Sequence, residues 1–232
     1  MFQLIRLESK KFKLGCFIKG AILATILILF FLCMISVLEK SEGTEMLKDM
    51  TGIFTISGAM VRGVFIVFAA VLISKMIIQE FKSRTIHIMF SYPINRKKIL
   101  GAKLILIVWL TFIAMTISHT VVIIGFTGLN QIFHFTPEIS LTSSDFLAEF
   151  IKVIMFSLTT AVAALVPLYF GMKKYSTPAT IVSSLLIVSV TCQSMGPNFS
   201  LANIIYIPLA LALIALGIVV LAIRNVDRID LN

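Results

Sequence analysis

The sequence predicts an all-α membrane protein in which six helices cross the bilayer and both termini are cytoplasmic. Hydrophobic residues make up 59% of the 232 residues and charged residues only 13%, whereas soluble domains average about 45–50% and about 25%. A soluble domain of this length has no core large enough to bury so many apolar side chains. The composition therefore excludes a soluble enzyme, a disordered chain and a secreted disulfide scaffold.

Six segments are long and apolar enough to be spans, since about 20 apolar residues cross the ~30 Å hydrocarbon layer. These predicted spans are residues 16–38, 53–78, 104–126, 151–171, 178–195 and 203–223. The pieces between them are too short to fold as separate soluble domains. Residues 1–232 are therefore expected to form a single transmembrane domain.

The distribution of charge predicts the orientation. Basic clusters at residues 10–13 and 96–98 fall on one side of the predicted membrane, and an acidic stretch at residues 39–49 falls on the other. Lysine and arginine concentrate on the cytoplasmic side of membrane proteins. The positive inner face suits anionic membrane lipid or an acidic cytoplasmic partner. Nucleic acid is not a predicted partner, because no basic and aromatic platform lies off the membrane.

Residues 1–14 alternate apolar and basic side chains ahead of the first span. This pattern favours a short amphipathic helix in the inner interface. A simple positive anchor for the first span explains it equally well. Further along, Pro167 and Pro208 lie within the fourth and sixth predicted spans, where proline removes a helix hydrogen bond and favours a kink.

The segment between the second and third spans combines a predicted helix with a turn. Nothing breaks a helix from Glu80 to Phe90, and the spacing of Glu80 and Arg84 suits an ion pair on the exposed face. Pro93 disfavours helix at Tyr92, so the chain is expected to turn there. A second helix then begins near Arg96. By spacing alone, an ordinary basic inner loop remains an alternative.

This segment resembles the first cytoplasmic loop of ABC-2 type transporter permeases, the membrane subunits of many bacterial ATP-binding-cassette exporters. That loop often carries a glutamate, then Gly-Thr, then Pro-hydrophobic-x-Arg, and a lysine that leads into the third span. The matching residues here are Glu80, Thr85, Pro93, Ile94, Arg96 and Lys103. Arg84 departs from the pattern, because glycine is common at that position.

The resemblance implies a coupling helix at residues 80–92 that sits on a separate ATPase subunit. The residues that it assigns to this contact are Glu80, Arg84, Thr85, Phe90, Tyr92, Pro93 and Arg96. It also implies two ABC ATP-binding subunits and a second permease, identical or homologous. The sequence lacks G-x-x-x-x-G-K-[ST], so ATP and Mg²⁺ are expected on the partner ATPase, with no catalytic residue, cofactor or metal site in this chain.

Two polar residues within the predicted spans are candidates for the translocation path. Arg62 lies near the middle of the second span, where an arginine costs roughly 2.5–3.5 kcal/mol and should face protein or water. It either lines a cavity where it contacts substrate or an acid, or it belongs to a structural pair, or its side chain snorkels towards the interface. His119, in the third span, is either a path residue or a hydrogen-bonded interior residue. Ala59 and Gly63 form a small-xxx-small pair that favours close helix packing.

The predicted function is that of the permease subunit of an ATP-driven exporter in the bacterial plasma membrane. Similarity to small permeases of bacitracin and lantibiotic resistance or peptide export implies amphipathic or antimicrobial peptides, or lipid-like compounds, as cargo. A stand-alone secondary transporter or a membrane enzyme is the alternative. The sequence lacks the features expected of either alternative. It has no acid deep in a span, as a secondary transporter would need, and no paired intramembrane aspartates, H-E-x-x-H or G-x-S-x-G, as a membrane enzyme would need.

Overall fold

The computed structural model describes residues 14–42, 50–83, 96–133, 143–174, 176–192 and 206–225. Within these ranges every regular element is helical, which confirms the predicted all-α class. The elements are α1 (Leu14–Glu42), α2 (Met50–Ile73), a π-helical segment (Ser74–Ile78), α3 (Gln79–Lys82), α4 (Arg96–Phe133), α5 (Ser143–Ala163), α6 (Pro167–Lys174), α7 (Thr177–Thr191) and α8 (Tyr206–Asn225).

Among the residues that the structure describes, four helical stretches are long and apolar enough to cross a membrane, and they match the first four predicted spans. They are Phe17–Leu38, Gly52–Lys82, Lys97–Ile132 and Phe150–Lys173. Two shorter apolar helices, Thr177–Thr191 and Pro208–Arg224, overlap the fifth and sixth predicted spans. The number of six spans and the orientation of the termini stay predictions, and the predicted N-terminal amphipathic helix falls almost entirely on residues 1–13, outside the described residues.

Helix α2 and the π-helical segment form the centre of the fold. They run as one continuous helical stretch into α3, and α2 packs against α1, α4, α5, α6 and α7. The side chains of this stretch are apolar all round the helix, and such a helix is buried on several sides. Leu72, Met76 and Ile78 are fully buried in the main hydrophobic cluster. In contrast, α1 exposes apolar side chains along most of its length, including Leu23 and Phe30.

The fourth predicted span is broken at the proline. Helix α5 ends at Ala163, residues 164–166 form a turn, and α6 begins at Pro167. The first helical position tolerates proline because its missing N–H has no helix partner there in any case. Pro208 behaves differently, since it lies in the first turn of α8 rather than in a helix interior, and no kink is needed.

Small residues bring neighbouring helices close together at two places. Cys192 Sγ donates to the carbonyl of Ala59 at 3.3 Å, and a Cβ on Gly63 would lie 3.4 Å from Val188, so the predicted small-residue pair lies against α7. On α6, a Cβ on Gly171 would lie 2.9 Å from Ile78 Cδ1 and would collide with the Thr180 hydroxyl. Only glycine fits at this second contact, where α6 and α7 meet the π-helical segment.

Candidate functional site

A buried ion pair joins the two helical stretches that flank residues 84–95. Lys103 Nζ in α4 donates to Glu80 Oε2 in α3. Glu80 is only 8% exposed and Lys103 only 2%. The ammonium group also donates to the backbone carbonyl of Met76 at 3.2 Å. Because both partners are withdrawn from solvent, their mutual attraction offsets part of the cost of burying each charge.

The same lysine reaches across an irregular turn of the central helix. The backbone N–H of Gln79 donates to the carbonyl of Ser74, five residues earlier, which is the hydrogen bond of a π-helix. This turn is wider than an α-helical turn, and short π-helical segments are frequent at functional sites. Lys103 contacts Met76 within the π-helical segment and Glu80 just beyond it. It therefore holds both sides of the transition back to α-helix.

The burial of Glu80 corrects one expectation from the sequence. The spacing to Arg84 predicts Glu80 on an exposed face, and this is wrong. The helix of the second span continues to Lys82, so Glu80 shares a face with the fully buried Met76, four residues earlier. That face points into the protein, towards α4.

The predicted coupling helix falls largely outside the described residues. Helix α3 ends at Lys82 and Ser83 adopts a turn conformation, so the uninterrupted helix expected from Glu80 to Phe90 is broken at that point. Helix α4 begins at Arg96, as predicted. The predicted contact residues that lie outside the described ranges are Arg84, Thr85, Phe90, Tyr92 and Pro93. Their role, and those of Glu80 and Arg96, in binding an ATPase stay predictions.

A second polar cluster lies in the interior around Arg62. The Arg62 side chain is only 6% exposed. Its Nε donates to the carbonyl of Gly58 at 3.1 Å, and its guanidinium carbon lies 4.7 Å from the centre of the Phe156 ring. A cation over an aromatic face is stabilised by the ring's quadrupole, and the effect grows where water is excluded. The buried charge is thus stabilised by a carbonyl of α2 and by an aromatic ring of α5.

His119 of α4 completes the cluster. Its Nε2 lies 3.4 Å from Ser57 Oγ, and its Nδ1 is buried with no hydrogen-bond partner among the residues that the structure describes. A Cβ on Gly58 would lie 3.3 Å from His119 Nε2 and 3.9 Å from an Arg62 guanidinium nitrogen. The structure therefore brings the two predicted path residues together at one glycine. His119 is thus a buried interior residue in contact with a serine hydroxyl, and its part in the translocation path stays a prediction.

Comparison with models of protein families matches residues 4–189 to the ABC-2 family transporter protein model. The chain belongs to the ABC-2 transporter family. YcbO, described as an uncharacterized protein of Bacillus subtilis strain 168, is 44% identical over 227 residues, which cover 98% of this chain and 99% of that relative. No solved structure matches the chain.

Family membership establishes what kind of protein this is. ABC-2 permeases are membrane components of transporters rather than ATPases, and membership implies association with an ATP-binding subunit. Together with several long apolar helices, it identifies a multi-pass membrane protein, located in bacteria in the cell membrane. The resemblance carried by the loop motif is confirmed at the level of the family.

Sequence reasoning missed two partners in this ABC-2 permease. Lys103 was noted only as the lysine leading into the third span, although it is the partner of Glu80. Their common membership of the loop motif was the available signal. Phe156 beneath Arg62 gave no signal, because one phenylalanine among 19 in the chain has no distinguishing spacing.

Proposed function

We propose that this ABC-2 permease is the membrane subunit of an ATP-driven exporter. Two permeases, identical or homologous, pair with two ATP-binding subunits, and each permease has six spans with both termini in the cytoplasm. ATP and Mg²⁺ bind to the partner subunits. Family membership over residues 4–189 supports this proposal, as does the absence of G-x-x-x-x-G-K-[ST] from the sequence.

The proposed contact with the ATPase is residues 80–92 together with Arg96. The observation that carries this part is the buried Glu80–Lys103 pair at the root of that segment. A segment anchored in the protein core transmits a push to the helices behind it, whereas a loosely attached loop absorbs the push. Closure of the ATPases on ATP would thus displace α3 and α4 and shift the permease between its states.

The proposed cargo is an amphipathic or antimicrobial peptide, or a lipid-like compound. The spans are almost uniformly apolar, which suits such cargo better than a hydrophilic sugar. Arg62 and His119 are the proposed polar residues of the path, because they lie together on buried faces of α2 and α4. Ionisable side chains within membrane spans are rare and mark substrate or ion pathways.

Association with an ATPase is tested by coexpression with candidate ATP-binding subunits and purification through a tag on the permease. The matched variant replaces residues 84–92 by a Gly-Ser segment of equal length and keeps Glu80, Lys103 and Arg96. We expect the native chain to capture one ATPase and the variant to lose it while reaching the membrane at the native level. Capture of no candidate, or equal capture by the variant, contradicts the proposed contact.

The cargo is tested separately in cells that express the permease with its captured ATPase. The probes are bacitracin and nisin, and the control is the same complex with the P-loop lysine of the ATPase replaced. We expect the native complex to raise the inhibitory concentration of at least one probe and the control to raise neither. Equal sensitivity of both strains contradicts a peptide cargo of this kind, while capture of the ATPase would still support the permease role.

A further inference from the structure

We propose that Glu80 and Lys103 are positioning residues for coupling, and that their buried ion pair clamps α3 to α4 so that both helices move as one unit. This inference rests on the proposed function, because it concerns how a push on residues 84–95 enters the membrane. It goes beyond that function by assigning Lys103 a role and by giving Glu80 a partner inside the permease. The pair lies between two helices that residues 84–95 connect.

The first step of the argument is that stability alone does not account for the pair. Desolvation of two charges offsets most of their attraction, so well-packed apolar residues of similar volume often stabilise a protein equally well or better. The best-attested use of a buried charged or polar pair is to fix one register between two elements. Here the two elements are α3 and α4. The ion pair fixes the position of the end of α3 relative to the start of α4, on either side of residues 84–95.

The second step is the position of Lys103 across the π-helical segment. Its ammonium group contacts the Met76 carbonyl at 3.2 Å within that segment and Glu80 beyond it. A wide turn is a natural place for a helix to bend or to shift by a residue. Because Lys103 holds both sides, this turn cannot change shape without breaking a buried charged contact. A push on the loop therefore passes through the turn instead of being absorbed there.

The third step is the packing of the π-helical segment, which Lys103 contacts, against α6 and α7. Met76 and Ile78 of the π-helical segment are fully buried, and a Cβ on Gly171 of α6 would overlap Ile78. The same glycine lies against Thr180 of α7. Packed interiors transmit displacement because they have little free volume. A displacement of the Glu80–Lys103 pair thus also moves α6 and α7, in addition to α2 and α4.

The test measures the distance between two spin labels, on Gln79→Cys and Lys98→Cys, by dipolar EPR in nanodiscs. Both side chains are exposed, and they lie on the two clamped helical stretches. The native cysteines are first removed by Cys16→Ser, Cys33→Ser and Cys192→Ser. The labelled permease is measured alone, with its ATPase, and with its ATPase trapped by ATP and vanadate. ATP hydrolysis by the complex is recorded alongside.

In the labelled permease that keeps Glu80 and Lys103, we expect one narrow distribution of label-to-label distances, and trapping should leave it unchanged. Lys103→Met and Glu80→Gln should broaden it and lower ATP hydrolysis by about tenfold or more, because each leaves a buried charge without its partner. The charge exchange Glu80→Lys with Lys103→Glu should restore the narrow distribution and the hydrolysis only in part, because it forms the ion pair again but places a carboxylate, which cannot donate, against the Met76 carbonyl. Lys173→Met removes an exposed lysine of α6, outside both the ion pair and the proposed ATPase contact, and should behave as native.

Two further variants separate positioning from a general loss of stability. Ile107→Ala removes a fully buried side chain from α4 and should destabilise the permease without broadening the distribution. The double variant Glu80→Gln with Lys103→Met leaves no buried charge at positions 80 and 103 and should fold, yet it should still broaden the distribution. If the single variants do not reach the membrane, this double variant carries the test.

The inference is overturned by a narrow distribution and native hydrolysis in the double variant, or by a change of the native distance on trapping. It is also overturned if Ile107→Ala broadens the distribution as much as Lys103→Met does. Failure of the native chain to capture an ATPase contradicts the proposed function instead. In that case, the distribution in the permease alone still decides whether the clamp exists.

Discussion

The buried charges at Arg62 and at Glu80 are compensated in different ways. Arg62 donates to a carbonyl of its own helix, Gly58, and lies over the Phe156 ring. Glu80 is held by an opposite charge on another helix, Lys103. A backbone carbonyl and a ring face tolerate small shifts of the cation, whereas a buried ion pair with a further backbone contact tolerates few. The first arrangement suits an adaptable site, and the second suits a fixed joint.

The largest effect should come from breaking the fixed joint. Lys103→Met should lower the free energy of unfolding by about 3–5 kcal/mol, because the Glu80 carboxylate stays buried without its partner. Thermal unfolding in detergent measures this loss. The double variant with Glu80→Gln is the control, and it should recover most of the lost stability. A single variant as stable as the double variant would show that Glu80 does not depend on Lys103.

The next largest effect concerns the contact of Gly171 with Thr180 and Ile78. Gly171→Ala should cost about 1–3 kcal/mol, because the new methyl group overlaps Thr180 and Ile78. Gly217→Ala is the matched control, since a Cβ there meets nothing within 4 Å. Adding Thr180→Ala to Gly171→Ala should restore part of the stability by removing the hydroxyl. Equal unfolding temperatures for the two alanine variants would contradict the tight contact.

A smaller effect on stability is expected at the adaptable site. Arg62→Leu should change the free energy of unfolding by no more than about 1–2 kcal/mol, since it removes a cation–π contact together with a costly buried charge. Its effect on transport should be large, and Arg62→Lys should retain part of the activity. Sensitivity to bacitracin and nisin, with membrane levels measured in parallel, compares the variants. Full resistance in both variants would exclude a role in the path.

The smallest effect should follow from removing the hydroxyl beside His119. Ser57→Ala deletes the 3.4 Å contact between Ser57 Oγ and His119 Nε2 and the 3.3 Å bond from Ser57 Oγ to the Phe54 carbonyl, and it should cost about 0.5–1.5 kcal/mol because both contacts are long. Ser189→Ala, at an exposed position of α7, is the control. A loss as large as that in Lys103→Met would mean that the two buried centres do not differ as proposed.

Features that depend on local sequence were predicted well. The first four spans and the start of α4 at Arg96 follow from apolar length and from proline chemistry, and the structure confirms them. At Pro167 a kink within one span was expected, and the structure instead ends α5 at Ala163 and begins α6 at the proline. The small-residue contact at Ala59 and Gly63 was also predicted correctly, because a four-residue spacing defines one face of a helix.

Features that depend on which faces meet were not predicted. Glu80 was placed on an exposed face because the spacing to Arg84 is local, whereas its burial is decided by α4. The π-helical segment has no composition that distinguishes it from the apolar helix around it. Phe156 could be assigned to Arg62 only after α2 and α5 had been brought together.

The most direct test of the central claim is the rate of ATP hydrolysis by the reconstituted complex in three forms: native, Lys103→Met, and Glu80→Lys with Lys103→Glu. If the buried pair carries coupling, hydrolysis falls by about tenfold in the single variant and returns in part in the charge exchange, which restores the ion pair but not the bond to the Met76 carbonyl, with capture of the ATPase equal in all three. Native hydrolysis in Lys103→Met with equal capture would contradict the claim.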